Sequence, residues 1–288
     1  MIVKPSVIAL VTGASLLGLT ACGGKVEEFT LTDNRLSELS GLAASKAQPG
    51  LLWAHNDSGD APALYRLQDG KLTSRVLLTG AAAIDWEDMA SFFWQGKPAL
   101  LIGDMGDNDS QRDHITLYAY TDPGSSGIPE KLWELNVRYP DGAKDAESLA
   151  VVGDTAYLLT KRQDPPQLYR VSLGPNAKGA VAELLGSVRN LPRPDNGDIL
   201  DDPLFGRIRH WPTGMDINDQ GVVVLTYKDA YWYPRKNAQT PVYQALMQKP
   251  KVLDLPQLPQ TEAVAIDGKS LWAGSEKLPT RLVKVSLP

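Results

Sequence analysis

Asp85-Trp86-Glu87-Asp88-Met89-Ala90 recurs in imperfect copies along the chain, at Leu39-Ser40-Gly41-Leu42-Ala43, Ala146-Glu147-Ser148-Leu149-Ala150, Pro212-Thr213-Gly214-Met215-Asp216 and Thr261-Glu262-Ala263-Val264-Ala265. Regular self-similarity marks a repeat architecture, in which each unit buries its apolar face against the next. The anchor residues Leu42, Met89, Leu149, Met215 and Val264 are 47, 60, 66 and 49 positions apart, within or above the usual length of a four-stranded blade.

Short runs rich in Val, Leu, Tyr and Trp follow each copy, separated by turn residues such as Gln48-Pro49-Gly50 and Asp69-Gly70. Such runs read as antiparallel meanders. The third strands superimpose well, Ala63-Leu64-Tyr65-Arg66-Leu67 on Gln167-Leu168-Tyr169-Arg170-Val171. Fourth strands are expected over 181–188 in repeat three and 242–247 in repeat four. Repeat five ends one strand short, and the run 26–32 is a strand without a repeat. Pairing the two closes a ring. The expected fold is therefore all-β, a single β-propeller of five four-stranded blades closed by the N-terminal strand. A sixth blade stays open if the 189–211 insertion, rich in Pro, Asp and Gly, hides strands.

Residues 1–21 read as a leader. Lys4 gives a basic start, and the apolar run over 7–19 is shorter than the roughly 20 residues that cross a bilayer. Leu19-Thr20-Ala21-Cys22 resembles the lipobox of bacterial lipoproteins, and Cys22 is the sole cysteine. The resemblance implies cleavage before Cys22, a lipid (palmitate-bearing) anchor on that thiol and a tether over 22–25 ahead of a propeller domain at 26–288. With Gly23 rather than Asp following, it implies an outer-membrane anchor facing the periplasm. With 29 basic against 34 acidic residues the formal charge is −5. That balance argues against a nucleic-acid partner.

In a propeller the loop entering each innermost strand opens on the same face as the loop leaving the second strand. Two positions before each anchor stand Ser40, Glu87, Glu147, Thr213 and Glu262, and four before stand Glu38, Asp85, Asp145, Trp211 and Gln260. Second-strand exits add Asn56, Asp57, Asp104, Asp107 and Asn108. Convergent carboxylates repel one another unless a cation, proton or basic side chain intervenes. One expectation is a metal site formed by Glu87, Glu147, Glu262, Asn56 and Asp104, since Ca²⁺ takes six to eight oxygen ligands. The other is a salt-bridged collar, in which Lys161, Lys228 and Lys277 pair with Glu147 and Glu262. All three histidines, His55, His114 and His210, fall in loops predicted on this face; the candidates for chemistry are His55, His114, Arg112 and Lys161, with Arg162 a further group that could bind an anion. Trp53, Trp86 and Trp272 read as blade packing, and Trp211 as part of a cleft.

Through Ser40-Gly41-Leu42, His55-Asn56-Asp57-Ser58-Gly59, Asp85-Trp86-Glu87-Asp88 and Gly103-Asp104-Met105-Gly106-Asp107-Asn108, nearly the whole chain after the leader resembles a group of secreted bacterial propeller proteins. More distantly it is similar to phytase-like esterase domains and to gluconolactonase and regucalcin propellers. The likeness implies Ca²⁺ in the channel, with Glu87, Glu147, Glu262 and Asn56 at matching positions. Two functions remain open. One is an envelope lipoprotein that binds a small ligand or an envelope protein through its channel-mouth face. The other is a Ca²⁺-dependent hydrolase of a small ester, lactone or phosphoester. The first is preferred, because no residue pattern demands a nucleophile or general base.

Overall fold

The computed structural model describes residues 26–176 and 178–288. The expected signal peptide, tether and lipidated Cys22 lie outside the described residues. After β1 (Glu27–Leu31), blade one is formed by β2 (Leu39–Ala44), β3 (Leu51–Asn56), β4 (Ala63–Gln68) and β5 (Lys71–Leu77). Blade two follows with β6 (Trp86–Trp94), β7 (Lys97–Asp104), β8 (Ile115–Thr121) and β9 (Lys131–Arg138). Blade three has β10 (Ala146–Val152), β11 (Thr155–Thr160) and β12 (Gln167–Ser172); then β13 (Ala180–Val181) pairs in parallel with β9, and β14 (Glu183–Ser187) completes the sheet. Blade four holds β15 (Pro212–Ile217), β16 (Gly221–Thr226), β17 (Ala230–Pro234) and β18 (Lys251–Leu253). Blade five holds β19 (Thr261–Asp267), β20 (Ser270–Ser275) and β21 (Thr280–Ser286), with β1 as its outer strand.

The five-bladed ring is closed as expected. The innermost strands touch in the cycle β2, β6, β10, β15, β19 and back to β2. Each gap between blades has its own apolar core. Trp53 and Leu64 meet Met89 and Tyr120 between blades one and two, and Leu117 and Trp133 meet Leu149 and Tyr169 in the next gap. Leu159 meets Met215 and Tyr233, Trp232 meets Val264 and Val283, and Trp272 and Leu282 meet Leu42 and Tyr65. Alternate side chains on a strand point to opposite faces, so a blade sandwiched between two others is apolar on both. Trp53, Trp86 and Trp272 are buried in these cores, consistent with packing.

β1 runs antiparallel to β21, from Glu27 opposite Lys284 to Leu31 opposite Thr280. Phe29 stacks on Trp272 with ring centroids 5.3 Å apart. Gly70, at φ +68°, lies under the same ring, where a Cβ would sit 2.0 Å from Phe29. Both the turn and the close approach require glycine there. Among the described residues, the five sheets and the cores between them are built from residue 27 onward.

Three expectations about strands need correction. The 242–247 run is a helix, α2 (Val242–Leu246), because its apolar residues Val242, Ala245 and Leu246 have helical spacing and bury one face in the core between blades three and four. The fourth strand of blade four is β18 instead. The 181–188 run is divided, its first residue belonging to β13 on blade two. The 189–211 insertion contains no strand and hence no sixth blade; it forms α1 (Asn196–Asp201) and a 3-10 turn at Gly206–Ile208.

Candidate channel-mouth site

A β-bulge recurs at one position in all five blades. On β6, Trp86 pairs with Asp104 and Asp88 with Gly103, leaving Glu87 as the extra residue. The same register shift isolates Ser40, Glu147, Thr213 and Glu262 on the other innermost strands. A bulge breaks the pleat and re-aims one side chain. Here it turns the second position of each repeat toward the channel mouth. The two hydroxyl members link blades: Ser40 donates to the Glu87 carbonyl, and Thr213 to the Thr261 carbonyl at 2.8 Å.

The three glutamates are buried in a cup. Oxygens of Asp57, Asp85 and Glu87 all lie within 4.8 Å of one another, as do oxygens of Glu87, Asp145 and Glu147. Glu262 faces the same space from blade five and feels the charges of Glu276 and Glu147. Gly106 forms part of the wall: its N–H donates to the Asp85 carbonyl at 3.1 Å, and a Cβ there would lie 2.2 Å from Glu87 Oε1. Below the cup Asp88 is fully buried. Its carboxylate accepts the backbone N–H groups of Met89 and Leu149, each at 2.8 Å, and of Met215 at 3.1 Å.

Charge is unevenly balanced across the cup. Arg162 donates to Asp145 at 2.6 Å and lies over Trp211, and Arg112 pairs with Asp104 at 2.7 Å. Lys161 donates to Glu147, and its Nζ is 5.1 Å from the Tyr227 ring centroid. By contrast, the Glu87 and Glu262 carboxylates make no hydrogen bond or ion pair among the described residues, although they are 5% and 8% exposed. Two like charges 4.8 Å apart repel by about 3 kcal/mol at the effective dielectric of a protein site. Burial, and then the neighbouring Glu147, Asp57 and Asp85, accordingly raise Glu87 well above the carboxylate range. Burial pushes Glu147 up to about 8 against the opposing pull of Lys161, and Asp85 rises to about 6. Burial works against a charged Lys161, but Glu147 and Tyr227 more than reverse it. The carboxylates without a cationic partner, Glu87 and Glu262, are thus biased toward holding a proton.

The sequence-derived candidates separate into two groups. Glu87, Glu147, Glu262 and Lys161 meet at the cup. Asn56 and Asp104 do not, because they occupy the register positions opposite Leu39 and Trp86. Asn56 is engaged by Glu38 N–H, the Arg35 carbonyl and Asp60, while Asp104 takes Arg112 and the N–H groups of Ile84 and Asp85. The acidic groups that accompany Glu87 instead are Asp57, Asp85 and Asp145. The lysine collar is reduced to Lys161. Lys228 pairs with Asp198 of α1 at 2.7 Å, and Lys277 lines a neighbouring cleft. His55 is not in a loop: it lies in β3, fully buried, edge-on to Trp86 at 5.4 Å, with burial lowering it to about 4. His114 and His210 line separate small cavities of about 230 and 200 Å³. Glu276 and Tyr227 were not singled out by sequence; they occupy the same second-strand exit position as Asp57 and Lys161.

Fold and site together define a five-bladed propeller with an acidic cup at one channel mouth. No family model matches the chain, and no curated protein matches its sequence. Solved structures match in fold. A GH43 endo-arabinanase from Bacillus licheniformis superposes with a TM-score of 0.54 at 12% identity, covering 90% of this chain and 96% of that one. A glutaminyl cyclase from Myxococcus xanthus gives 0.47 at 10% identity, covering 91% and 96%. At these identities the likeness is one of fold alone.

Proposed function

We propose that this protein is an envelope binding propeller whose channel mouth holds a hard divalent cation, Ca²⁺, and presents it to a ligand or an envelope protein. Glu87 carries the reading. Its carboxylate is buried, belongs to both three-carboxylate groups and has no cationic partner of its own. An all-oxygen donor set without His or Cys suits Ca²⁺ rather than a softer metal. Asp57, Asp85, Glu87 and Glu147 would hold it, with Asp145 in reach, and the bound ion would offer positive charge to an anionic or oxygen-rich ligand.

A second reading, a Ca²⁺-dependent hydrolase of a small ester, lactone or phosphoester, is favoured by a cleft of about 590 Å³ that shares Tyr227 with the cup. In that case the cation would polarise a substrate oxygen, and Arg162 at the rim would take an anionic group.

Calorimetric titration of the chain from Val26 with CaCl₂ tests both. Saturable binding is expected in the wild type, with loss in Glu87→Gln and weakening in Glu147→Gln. Silence in the wild type removes both readings, and binding that survives both substitutions moves the site elsewhere. Ca²⁺-stimulated turnover of an ester panel selects the hydrolase.

The proposal includes a lipid anchor at Cys22 in the outer membrane. The direction of β1 supports a particular orientation. Glu27 pairs with Lys284, at the end of β21 away from the mouth, whereas Leu31 pairs with Thr280 at the mouth end. A tether over 22–25 spans at most about 14 Å, so it would hold the opposite face to the membrane and leave the cup open to the periplasm. Labelling with a palmitate analogue, abolished by Cys22→Ala, is the expected result.

A further inference from the structure

We infer that the cleft between the 189–211 insertion and blades four and five is a binding site for an amphipathic anion, an acidic head group carried on an apolar ring or chain. The inference goes beyond the cation site and does not depend on it.

The cleft measures about 590 Å³, within the range of small-molecule sites. One wall is the 3-10 turn of the insertion, which presents Phe205 and Ile208, and the facing wall is Leu258, in the segment that joins β18 to β19. Phe205 is 59% exposed, an uncovered aromatic surface beside a concave space. Each Å² of such surface removed from water is worth about 25 cal/mol.

The charged lining is mainly cationic, Arg209, Lys228 and Lys277 against Asp202, with Tyr227, Gln257 and Gln260 as neutral polar groups. Lys277 makes no ion pair among the described residues, its nearest charge relation being with the adjoining Glu276. Arg209 approaches Asp198 only to 3.6 Å, while Lys228 holds that carboxylate at 2.7 Å. Asp202, the acid on this lining, is already engaged by the N–H groups of Leu204 and Phe205 at 3.2 and 3.0 Å. Lys277 and Arg209 are therefore the groups left to meet a carboxylate, sulfonate or phosphate, with the apolar body against Phe205, Ile208 and Leu258. Arg supplies a planar donor fork and Lys a mobile point charge, a pair that suits an acidic head rather than a neutral ligand.

Fluorescence titration of the chain from Val26 tests this with two probes of similar apolar size. 8-Anilinonaphthalene-1-sulfonate carries the acidic head, and N-phenyl-1-naphthylamine lacks it. The expected result is saturable one-to-one binding of the sulfonate, unchanged between EDTA and CaCl₂. Lys277→Glu should weaken the sulfonate about tenfold and leave the amine unchanged. Phe205→Ala should weaken both. Both residues are exposed, so a circular dichroism melt matching wild type is expected and confirms that folding is not the cause. No sulfonate binding, equal affinity for the two probes, or affinity unchanged in both variants overturns the proposal. A calcium titration that is silent while the sulfonate still binds removes the cation site and leaves this one intact.

Discussion

Asp88 in blade two accepts the backbone N–H of Met215 in blade four at 3.1 Å, across the channel and past blade three, whose Leu149 N–H the same oxygen accepts at 2.8 Å. One carboxylate thus ties three innermost strands beneath the cup. Buried N–H groups deprived of their acceptor retain the full desolvation cost. Asp88→Ala should therefore lower unfolding free energy by about 2 to 4 kcal/mol. Urea denaturation measures it, and a midpoint equal to wild type would show that the three strands hold without it.

The raised carboxylates make a pH prediction with a definite sign. Between about pH 4.5, near the ordinary glutamate value, and pH 8, folded Glu147 keeps a proton that the unfolded chain has released. The stabilisation from that proton is fully present below the lower value and is lost as pH rises through the upper one. Thermal stability without metal should decline over this window, by up to about 1.4 kcal/mol per pH unit for each retained proton. Calcium affinity should climb over the same interval as protons leave. A melting temperature that rises from pH 5 to 8 in EDTA contradicts the assignment.

How far the sequence discloses this arrangement depends on the kind of contact involved. The repeats were legible because the bulged residue and its anchor keep a constant offset, Glu87 to Met89 and Glu262 to Val264. The bulge itself belongs to the pairing between strands, so sequence placed Glu87 near the mouth without showing what turns it inward. Asn56 and Asp104 were matched by residue type, yet the neighbours Asp57 and Asp85 reach the cup, since a shift of one register position changes the facing side. Lys228 reads as a collar member because it follows a second strand, as Lys161 does, but its partner Asp198 lies in the insertion, which has no strand pattern. The signal missed there was Asp195 with Asp198, an N-cap and its reciprocal partner at the start of α1. Glu276 sits at the same offset in Gly274-Ser275-Glu276 as Asp57 in its own repeat, a correspondence that register makes visible.

Gly106 tests the geometry of the cup without altering its charge. A methyl group there would come 2.5 Å from Asp85 Oδ2 as well as against Glu87. Gly106→Ala should displace both carboxylates and weaken calcium binding at least about tenfold. Calorimetry beside a thermal melt separates this from unfolding; full affinity in the variant would mean that Asp85 and Glu87 do not bind the ion together.

Ring closure rests on β1, and Phe29 is its half-buried anchor on Trp272. Phe29→Ala removes the ring from that stack and from the surface over Gly70. The expected loss is about 2 to 3 kcal/mol, below the range for fully buried aromatics. Limited proteolysis should then cut first at the chain start, before the inner blades. Cleavage beginning in the 189–211 insertion, as rapid as in wild type, would show that β1 does not hold the ring shut.

Lys161→Met distinguishes a cation site from a self-neutralised collar, because Lys161 is the ammonium that pairs with Glu147 inside the cup. Breaking a buried pair by removing one partner costs about 3 to 5 kcal/mol when the remaining charge persists. Here the remaining group is an acid that stands at about 8 even with Lys161 pulling it down, so without the lysine it keeps its proton to higher pH. The loss of the pair therefore grows only above pH 8, where wild-type Glu147 ionises against Lys161, and destabilisation in EDTA should be larger at pH 9 than at pH 6. Calcium should restore the difference, and bind more tightly than to wild type, because Glu147 is then free to face the ion. If the cup is only a structural collar, calcium restores nothing at either pH, and denaturant midpoints measured with and without the metal coincide.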